Sequence, residues 1–141
     1  MRRIVVGVDG SQESRDAAKW AVDIAKATGA KVLVATSAYA LSPMTSPEVF
    51  INTQSWQNEE RKLSAKTVEG IAAAVSRNGV AIETFVGSGT AAEMLADLAR
   101  AADVDLVVVG HRGRGAVARM LLGSVADRLV QISPKPVLVV R

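Results

Sequence analysis

Five short apolar runs, rich in Val and Ile, are separated along this chain by longer segments of helical periodicity. Runs of this kind predict strands, and apolar residues that recur at helical spacing predict helices between them. Because each strand is followed by a helix, the strands are expected to lie parallel in one sheet with helices on both faces. We therefore predict a Rossmann-like α/β fold with five parallel strands. The predicted strands are Arg3–Asp9, Lys31–Ser37, Val80–Val86, Val104–Val109 and Val137–Val140.

Capping and terminating residues bound the segments between these strands. The connection Tyr39–Trp56, which follows the second strand, is long and polar, and this length is typical of functional loops or lids. The predicted helix boundaries are the cap Ser11 and the terminator Gly29, then Gln57 and Arg77, the capping box Thr90–Glu93, and Gly123-Ser124 followed by Pro134.

Two strand orders are common for five parallel strands, 2-1-3-4-5 and 3-2-1-4-5. Ligands bind beyond the carboxyl ends of the strands where the order reverses, which in 3-2-1-4-5 lies between strands one and four. The turn Asp9-Gly10-Ser11 and the glycine-rich stretch Gly110–Gly115 follow these two strands. Their position favours the order 3-2-1-4-5 and predicts a binding crevice between strands one and four.

The composition excludes several classes of function. None of the 141 residues is cysteine, so disulfides, thiolate catalysis and Cys-ligated zinc are excluded. No apolar run is long enough to span a membrane and no leader is recognised, so we expect a cytoplasmic protein of one domain with no membrane partner. The net charge is only +3 and aromatic residues are 4%, which argues against nucleic acid. A small anionic ligand better explains the local cluster of Arg112, Arg114 and Arg119.

Gly110 and Gly113 begin a loop that runs to Gly123-Ser124 at the predicted start of the last helix. Each pair alone is as typical of a tight turn as of ligand binding. Together they favour an anion site, because glycines let backbone N–H groups approach a phosphate and a helix N-terminus adds unpaired donors. The chain has neither the Gly-Lys-Ser/Thr of a P-loop nor a G-x-G-x-x-G after strand one.

The spacing Gly110-x-x-Gly113, nine residues, then Gly123-Ser124 resembles the ATP-binding signature G-2x-G-9x-G-[S/T] of the universal stress protein family. The segments Val6–Ser11, Asp105–Gly110 and Pro136–Val140 resemble the same family, so the likeness spans residues 1–141 as a single domain. It implies the adenine nucleotide alpha hydrolase-like fold, with strand order 3-2-1-4-5, and membership of the ATP-binding subclass.

The resemblance implies an ATP site, with or without Mg²⁺, and no residue is assigned as catalytic. Asp9 would contact the ribose or a metal ion, although no dedicated metal site is predicted. Ser37 would lie near the adenine, and Ser124 would donate its hydroxyl to a phosphate. Arg114 would contribute positive charge to the site. The predicted nucleotide-binding residues are Gly7, Val8, Asp9, Ser37, Val109, Gly110, Gly113, Arg114, Gly123, Ser124, Val125 and Ala126.

The predicted function is that of a sensor or regulator of the stress response that binds ATP and hydrolyses it slowly or not at all. No dedicated general base, arginine finger or carboxylate pair for Mg²⁺ stands out, and His111, the only histidine, is expected to be a solvated loop residue. His111-Arg112 replaces the Ser-His of many relatives, and Ala126 lacks a hydroxyl that some carry. AMP or cyclic AMP is therefore an alternative ligand, and a nucleotide-independent partner-binding module is an alternative function.

The last strand would form an edge of the sheet, yet it carries no charge that would discourage pairing with another strand. Asp103 and Asp105 lie at the end of strand four away from the crevice and are expected to be structural. Trp20 and Trp56 fit either the core or an interface. Family members commonly dimerise antiparallel through the last strand, so the resemblance implies a two-fold symmetric homodimer. The expected contact residues are Val137, Leu138, Val139 and Val140.

Overall fold

Strands and helices alternate in the computed structural model, which describes residues 1–38, 53–113 and 121–141. The strands coincide with the runs rich in Val and Ile, whose branched side chains pack well on a pleated surface. The elements are β1 (Arg3–Gly7), α1 (Gln12–Thr28), β2 (Lys31–Ala38), α2 (Thr53–Val75), β3 (Ile82–Ser88), α3 (Ala91–Ala99), β4 (Val104–Gly110), α4 (Ser124–Ile132) and β5 (Val137–Val140).

The strands form one parallel sheet in the order β3-β2-β1-β4-β5, which confirms the predicted fold class and strand order. β1 is the central strand, and its Val5 lies opposite Leu33 of β2 and Val107 of β4. The order reverses between β1 and β4, so the carboxyl ends of these two strands flank a crevice. β3 and β5 form the two edges.

Helices cover both faces of the sheet, with α1 and α2 on one face and α3 and α4 on the other. Successive residues of a strand point to opposite faces. In β1, Val6 packs in the cluster with α1 and α2, whereas Val5 packs in the cluster with α3 and α4. Leu95 of α3 and Leu129 of α4 are fully buried on the second face. β4 is buried on both faces over most of its length, as its continuous apolar run predicts.

The first helix begins and ends where its capping residues predict, and the third helix begins where its capping box predicts. The hydroxyl oxygen of Ser11 accepts the N–H of Ser14 at 3.2 Å, and Gly29 ends α1 in the left-handed region with φ 75°. Thr90 accepts the N–H of Glu93 at 3.4 Å at the start of α3. Each cap satisfies a backbone group that the helix itself leaves without a partner.

Helix α2 begins at Thr53, four residues before the predicted start at Gln57, so the prediction that Trp56 belongs to a connection is wrong. Most residues of its first turns are polar, so these turns lack the apolar periodicity that marks the rest of the helix. The remainder of the predicted connection, 39–52, lies outside the described residues.

The third strand is shifted by two residues from the prediction, because its extent is set by pairing with β2, from Ile82 opposite Val32 to Ser88 opposite Ala38. The indole side chains of α1 and α2 are both exposed, Trp20 by 56% and Trp56 by 61%, which excludes the core for each. None of the described helices is both long and apolar enough to cross a membrane.

Ion pairs tie the amino ends of the strands together. The carboxylate of Asp103 lies 3.3 Å from Nε of Arg3, and Asp105 accepts the backbone N–H of Arg2 at 2.6 Å. This hydrogen bond, helped by the charge of Arg2, holds the pKa of Asp105 below its usual value. Both aspartates therefore act structurally, at the end of β4 that lies away from the crevice.

Candidate functional site

A cavity of about 350 Å³ lies at the carboxyl ends of β1 and β4, where the strand order reverses. The residues that follow these two strands form one side of it, and β2, α1, α3 and α4 supply the rest. The lining residues are Gly7, Val8, Asp9, Ser14, Ala35, Thr36, Ser37, Ala91, Met94, Leu95, Val109, Gly110, Arg112, Gly113, Gly123, Ser124, Val125 and Ala126.

The predicted nucleotide-binding residues, apart from Arg114, all line this cavity. Arg114 lies outside the described residues. The apolar wall from β2 and α3 was not predicted from the sequence, because no motif marks these positions. Their position in the chain is the signal that could have identified them as lining residues, because each lies near the carboxyl end of a strand or at the start of the next helix. The missed lining residues are Ser14, Ala35, Thr36, Ala91, Met94 and Leu95. Arg112, which belongs to the basic cluster expected to attract an anion, also lines the cavity.

Asp9 is held in place by the turn between β1 and α1. Its Oδ1 accepts the N–H of Ser11 at 2.9 Å and also the Ser11 hydroxyl. Its own N–H donates to the hydroxyl oxygen of Ser14 at 3.3 Å, and Ser14 is buried. The side chain therefore stabilises the turn, and the same turn presents its carboxylate to the cavity.

Close approach of neighbouring atoms explains three glycines of the loop. A Cβ at Gly110 would lie 2.9 Å from the backbone carbonyl carbon of Glu13, and one at Gly113 would collide with the carboxylate of Asp9. A Cβ at Gly123 would lie 3.1 Å from the backbone of the loop. None of the three needs a left-handed backbone. The described glycines with positive φ are Gly10, Gly29, Gly79 and Gly89.

The first turn of α4 brings backbone donors to the cavity. Gly123 is its N-cap and has no side chain to occupy the free N–H groups, and Ser124, Val125 and Ala126 all line the cavity. The first hydrogen bond within the helix is the one from Asp127 N–H to the Gly123 carbonyl, at 2.9 Å. The preceding N–H groups and the positive end of the helix dipole therefore favour an anion here.

His111 connects the loop to the edge strand. Its backbone N–H donates to the carbonyl of Val140 at 2.7 Å, and its Nδ1 lies 3.2 Å from the same oxygen. Its own carbonyl accepts the N–H of Gly123 at 2.6 Å. His111 is a partly exposed loop residue and is absent from the cavity wall. Arg112, the next residue, does line the cavity.

The described lining residues include one of each charge, Asp9 and Arg112. A carboxylate accepts hydrogen bonds from sugar hydroxyls or binds a cation, whereas a guanidinium binds phosphate or carboxylate. Among the described residues, no group of three or more His, Asp or Glu side chains is arranged to hold a metal ion. The remaining wall is largely apolar, from Ala35, Met94 and Leu95 among others.

Comparisons with known proteins agree with this architecture. The model of the universal stress protein family matches residues 1–141. Universal stress protein YxiE of Bacillus subtilis is 33% identical over 99% of this chain and 98% of its own length. Universal stress protein UspA from Lactobacillus plantarum has the same fold, with a TM-score of 0.88 at 22% identity over 99% of this chain and 97% of its own. A universal stress protein solved in complex with cAMP is 29% identical, with a TM-score of 0.62 over 99% of this chain and 96% of its own. This chain therefore belongs to the universal stress protein family.

Proposed function

We propose that this protein binds ATP in the cavity between β1 and β4 and acts as a nucleotide-responsive regulator of the stress response. The observation that carries this proposal is that the predicted residues, drawn from β1, β2, β4 and α4, come together on one cavity. Its volume of about 350 Å³ falls within the range of small-molecule sites, roughly 300–1,000 Å³. Because ATP is a cytoplasmic ligand, we propose that the protein is cytoplasmic. Cell fractionation tests this location.

The chemistry of the wall suits the parts of an adenine nucleotide. Met94 and Leu95 offer an apolar surface to the base, and Ser37, whose hydroxyl donates to the carbonyl of Gly89, keeps its oxygen available as an acceptor for the exocyclic amine. Asp9 is placed to accept a ribose hydroxyl or to hold Mg²⁺. The free N–H groups at the start of α4, with the Ser124 hydroxyl, would bind the phosphates.

Hydrolysis is expected to be slow or absent. Of the titratable groups on the described wall, Asp9 already bonds to Ser11 and Arg112 is a cation that cannot act as a base. His111 faces the Val140 carbonyl and does not line the cavity. Phosphate release slower than roughly one per minute, far below typical enzyme turnover, is the expected result.

AMP or cyclic AMP is the alternative ligand, and the 29% identical structure in complex with cAMP is the observation that favours it. Competition among the three nucleotides for the same site distinguishes them. A partner-binding module with a structural glycine loop is the alternative function. It would be favoured if none of these nucleotides raised the melting temperature of the protein.

Calorimetric titration of ATP into the wild type and into Ser124→Asp tests the site. A carboxylate in the first turn stabilises a helix, and Ser124 is exposed, so this variant should fold. The added charge would repel phosphates and should weaken ATP binding at least about tenfold, since an anion replaces a donor to an anion. Asn78→Asp adds the same charge to an exposed turn at the opposite end of the sheet and serves as the control. The proposal fails if the wild type shows no saturable binding, or if Ser124→Asp binds like Asn78→Asp.

We also infer a homodimer through β5, because its apolar residues Val137, Leu138 and Val139 are only half-buried at the edge of the sheet. The carbonyls of Pro136 and Val140 accept hydrogen bonds from the β4 side, so the alternating pattern of a parallel strand points the N–H of Val139 to the free edge. Val139→Pro removes that donor without removing a bond to β4. Sedimentation should show a dimer for the wild type and a monomer for this variant. A monomeric wild type, or a variant that remains dimeric, would refute the inferred interface.

A further inference from the structure

Arg112 carries a buried donor that the described structure leaves unsatisfied. Its Nε is shielded from solvent and has no hydrogen-bond partner among the described residues. Buried polar atoms are nearly always bonded, so an exception on the wall of a cavity points to a missing partner. Arg3 offers a contrast, because its Nε also lacks a hydrogen bond but lies 3.3 Å from the carboxylate of Asp103. The described ion pairs include no partner for Arg112.

The backbone on both sides of Arg112 is fixed. The preceding residue, His111, is bonded to Val140 of β5 and to Gly123 at the start of α4. The Cα of Arg112 lies so close to Gly123 that a Cβ on Gly123 would be only 3.1 Å from it. Gly113, which follows, lies against the carboxylate of Asp9. The side chain therefore starts from a rigid position beside the free N–H groups of α4.

These two kinds of donor differ in how they respond to the charge of a ligand. The backbone N–H groups of α4 are neutral and can bind any phosphate oxygen. A guanidinium carries a full charge and a planar fork that matches two phosphate oxygens, so its contribution grows with the negative charge of the phosphate. A bound phosphate would supply the buried Nε of Arg112 with a charged acceptor, and a hydrogen bond to a charged group contributes more than one to a neutral acceptor.

We propose that Arg112 is the residue that selects ligands by phosphate charge, so that the cavity prefers nucleotides with a terminal 5′-phosphate dianion over the cyclic monoanion and the neutral nucleoside. This inference rests on the proposed function, since it concerns the same cavity. The expected order of affinity is AMP above cyclic AMP, with adenosine weakest.

The test is calorimetric titration of AMP, cyclic AMP and adenosine into the wild type, Arg112→Gln, Arg112→Lys and Arg128→Gln. Arg112→Gln removes the charge and keeps a side chain of moderate length, and Arg112→Lys keeps the charge without the fork. Arg128 lies on α4, is exposed and is not on the cavity wall, so Arg128→Gln controls for the loss of one charge. Thermal unfolding of each variant monitors folding.

Arg112→Gln should weaken AMP about 10- to 150-fold, the range for loss of a hydrogen bond between charged groups. Adenosine should change less than about threefold, since it offers no anion, and Arg112→Lys should recover part of the AMP affinity. Equal losses for AMP and adenosine, or a loss that Arg128→Gln reproduces, would overturn the role of Arg112 alone. Absence of binding by the wild type would overturn both this role and the proposed function.

Discussion

Two glycines of the loop should respond differently to the same substitution, Gly110→Ala and Gly113→Ala. A methyl group at Gly110 would meet the backbone of Glu13, at 2.9 Å from its carbonyl carbon and 3.0 Å from its oxygen. Backbone in the first turn of α1 cannot move without shifting the helix away from β4. A methyl group at Gly113 would meet only the carboxylate end of the Asp9 side chain, which can shift by weakening its hydrogen bonds to Ser11.

The expected cost at Gly110 can be worked from these contacts. Overpacking costs about 1–3 kcal/mol, and the lower chain entropy of alanine in the unfolded state returns about 0.4–1 kcal/mol. The midpoints of these two ranges leave a net loss of about 1.3 kcal/mol. An unfolding entropy of about 2.1 cal/mol/K per residue gives about 0.3 kcal/mol/K for 141 residues. Gly110→Ala should therefore lower the melting temperature by about 4 °C.

Gly113→Ala should instead weaken nucleotide binding, because it pushes Asp9 out of the position in which it would accept a ribose hydroxyl. Loss of such a bond is expected to cost about 10- to 100-fold in affinity. Weakening the Asp9–Ser11 hydrogen bonds should cost about 1 kcal/mol, of which the lower chain entropy of alanine returns about 0.4–1 kcal/mol, so the melting temperature should change by less than about 3 °C. Thermal unfolding by circular dichroism and calorimetric titration of ATP measure both quantities. The reasoning is wrong if Gly110→Ala melts like the wild type, or if Gly113→Ala is the less stable of the two.

Three further predictions concern the fold. Leu129→Ala, at a fully buried position of α4, should lower the free energy of unfolding by about 2–5 kcal/mol. Val130→Ala, at the neighbouring position that is 56% exposed, should change it by no more than about 0.5 kcal/mol. Equal losses measured by urea unfolding would contradict the assigned core. Gly29→Ala should destabilise the protein through backbone strain alone, since φ is 75° and no atom lies within 4 Å of a Cβ at this position. Gly70→Ala within α2 is the control, because Gly70 has the same open surroundings and no positive φ. This control variant should be neutral or stabilising. Because the pKa of Asp105 is lowered in the folded state, its contact with Arg2 stabilises the fold at pH values above the usual pKa of 3.8. This stabilisation is lost as the pH falls through the lowered pKa, so the melting temperature of Asp105→Asn should drop less on acidification than that of the wild type. An equal drop would count against the Arg2 contact.

The sheet and the crevice could be predicted because they depend on local signals. The five apolar runs indicate strands, and the caps Ser11 and Thr90 place the starts of two helices. The turns after β1 and β4 carry the residues that parallel strands bring to one edge, so Asp9 and Gly113 could be placed in one site before their contact was seen.

Features that depend on packing between distant segments could not be predicted. The shift of β3 follows from its pairing with β2, and the first turns of α2 carry little apolar periodicity. Met94 and Leu95 reach the cavity only because α3 packs beside β1, and nothing in their own sequence distinguishes them from other core residues. His111 looks like a surface loop residue until β5 places the Val140 carbonyl beside it.

The most direct test of the central claim, that the cavity between β1 and β4 is the nucleotide site, is the amide spectrum of isotope-labelled protein with and without saturating ATP. The largest shifts should fall on backbone amides that line the cavity, among them those of Gly113, Ser124 and Ala126, with little change at the amino ends of the strands. A spectrum that ATP leaves unchanged, or shifts confined to another surface such as the exposed side of α2 around Trp56, would contradict the claim.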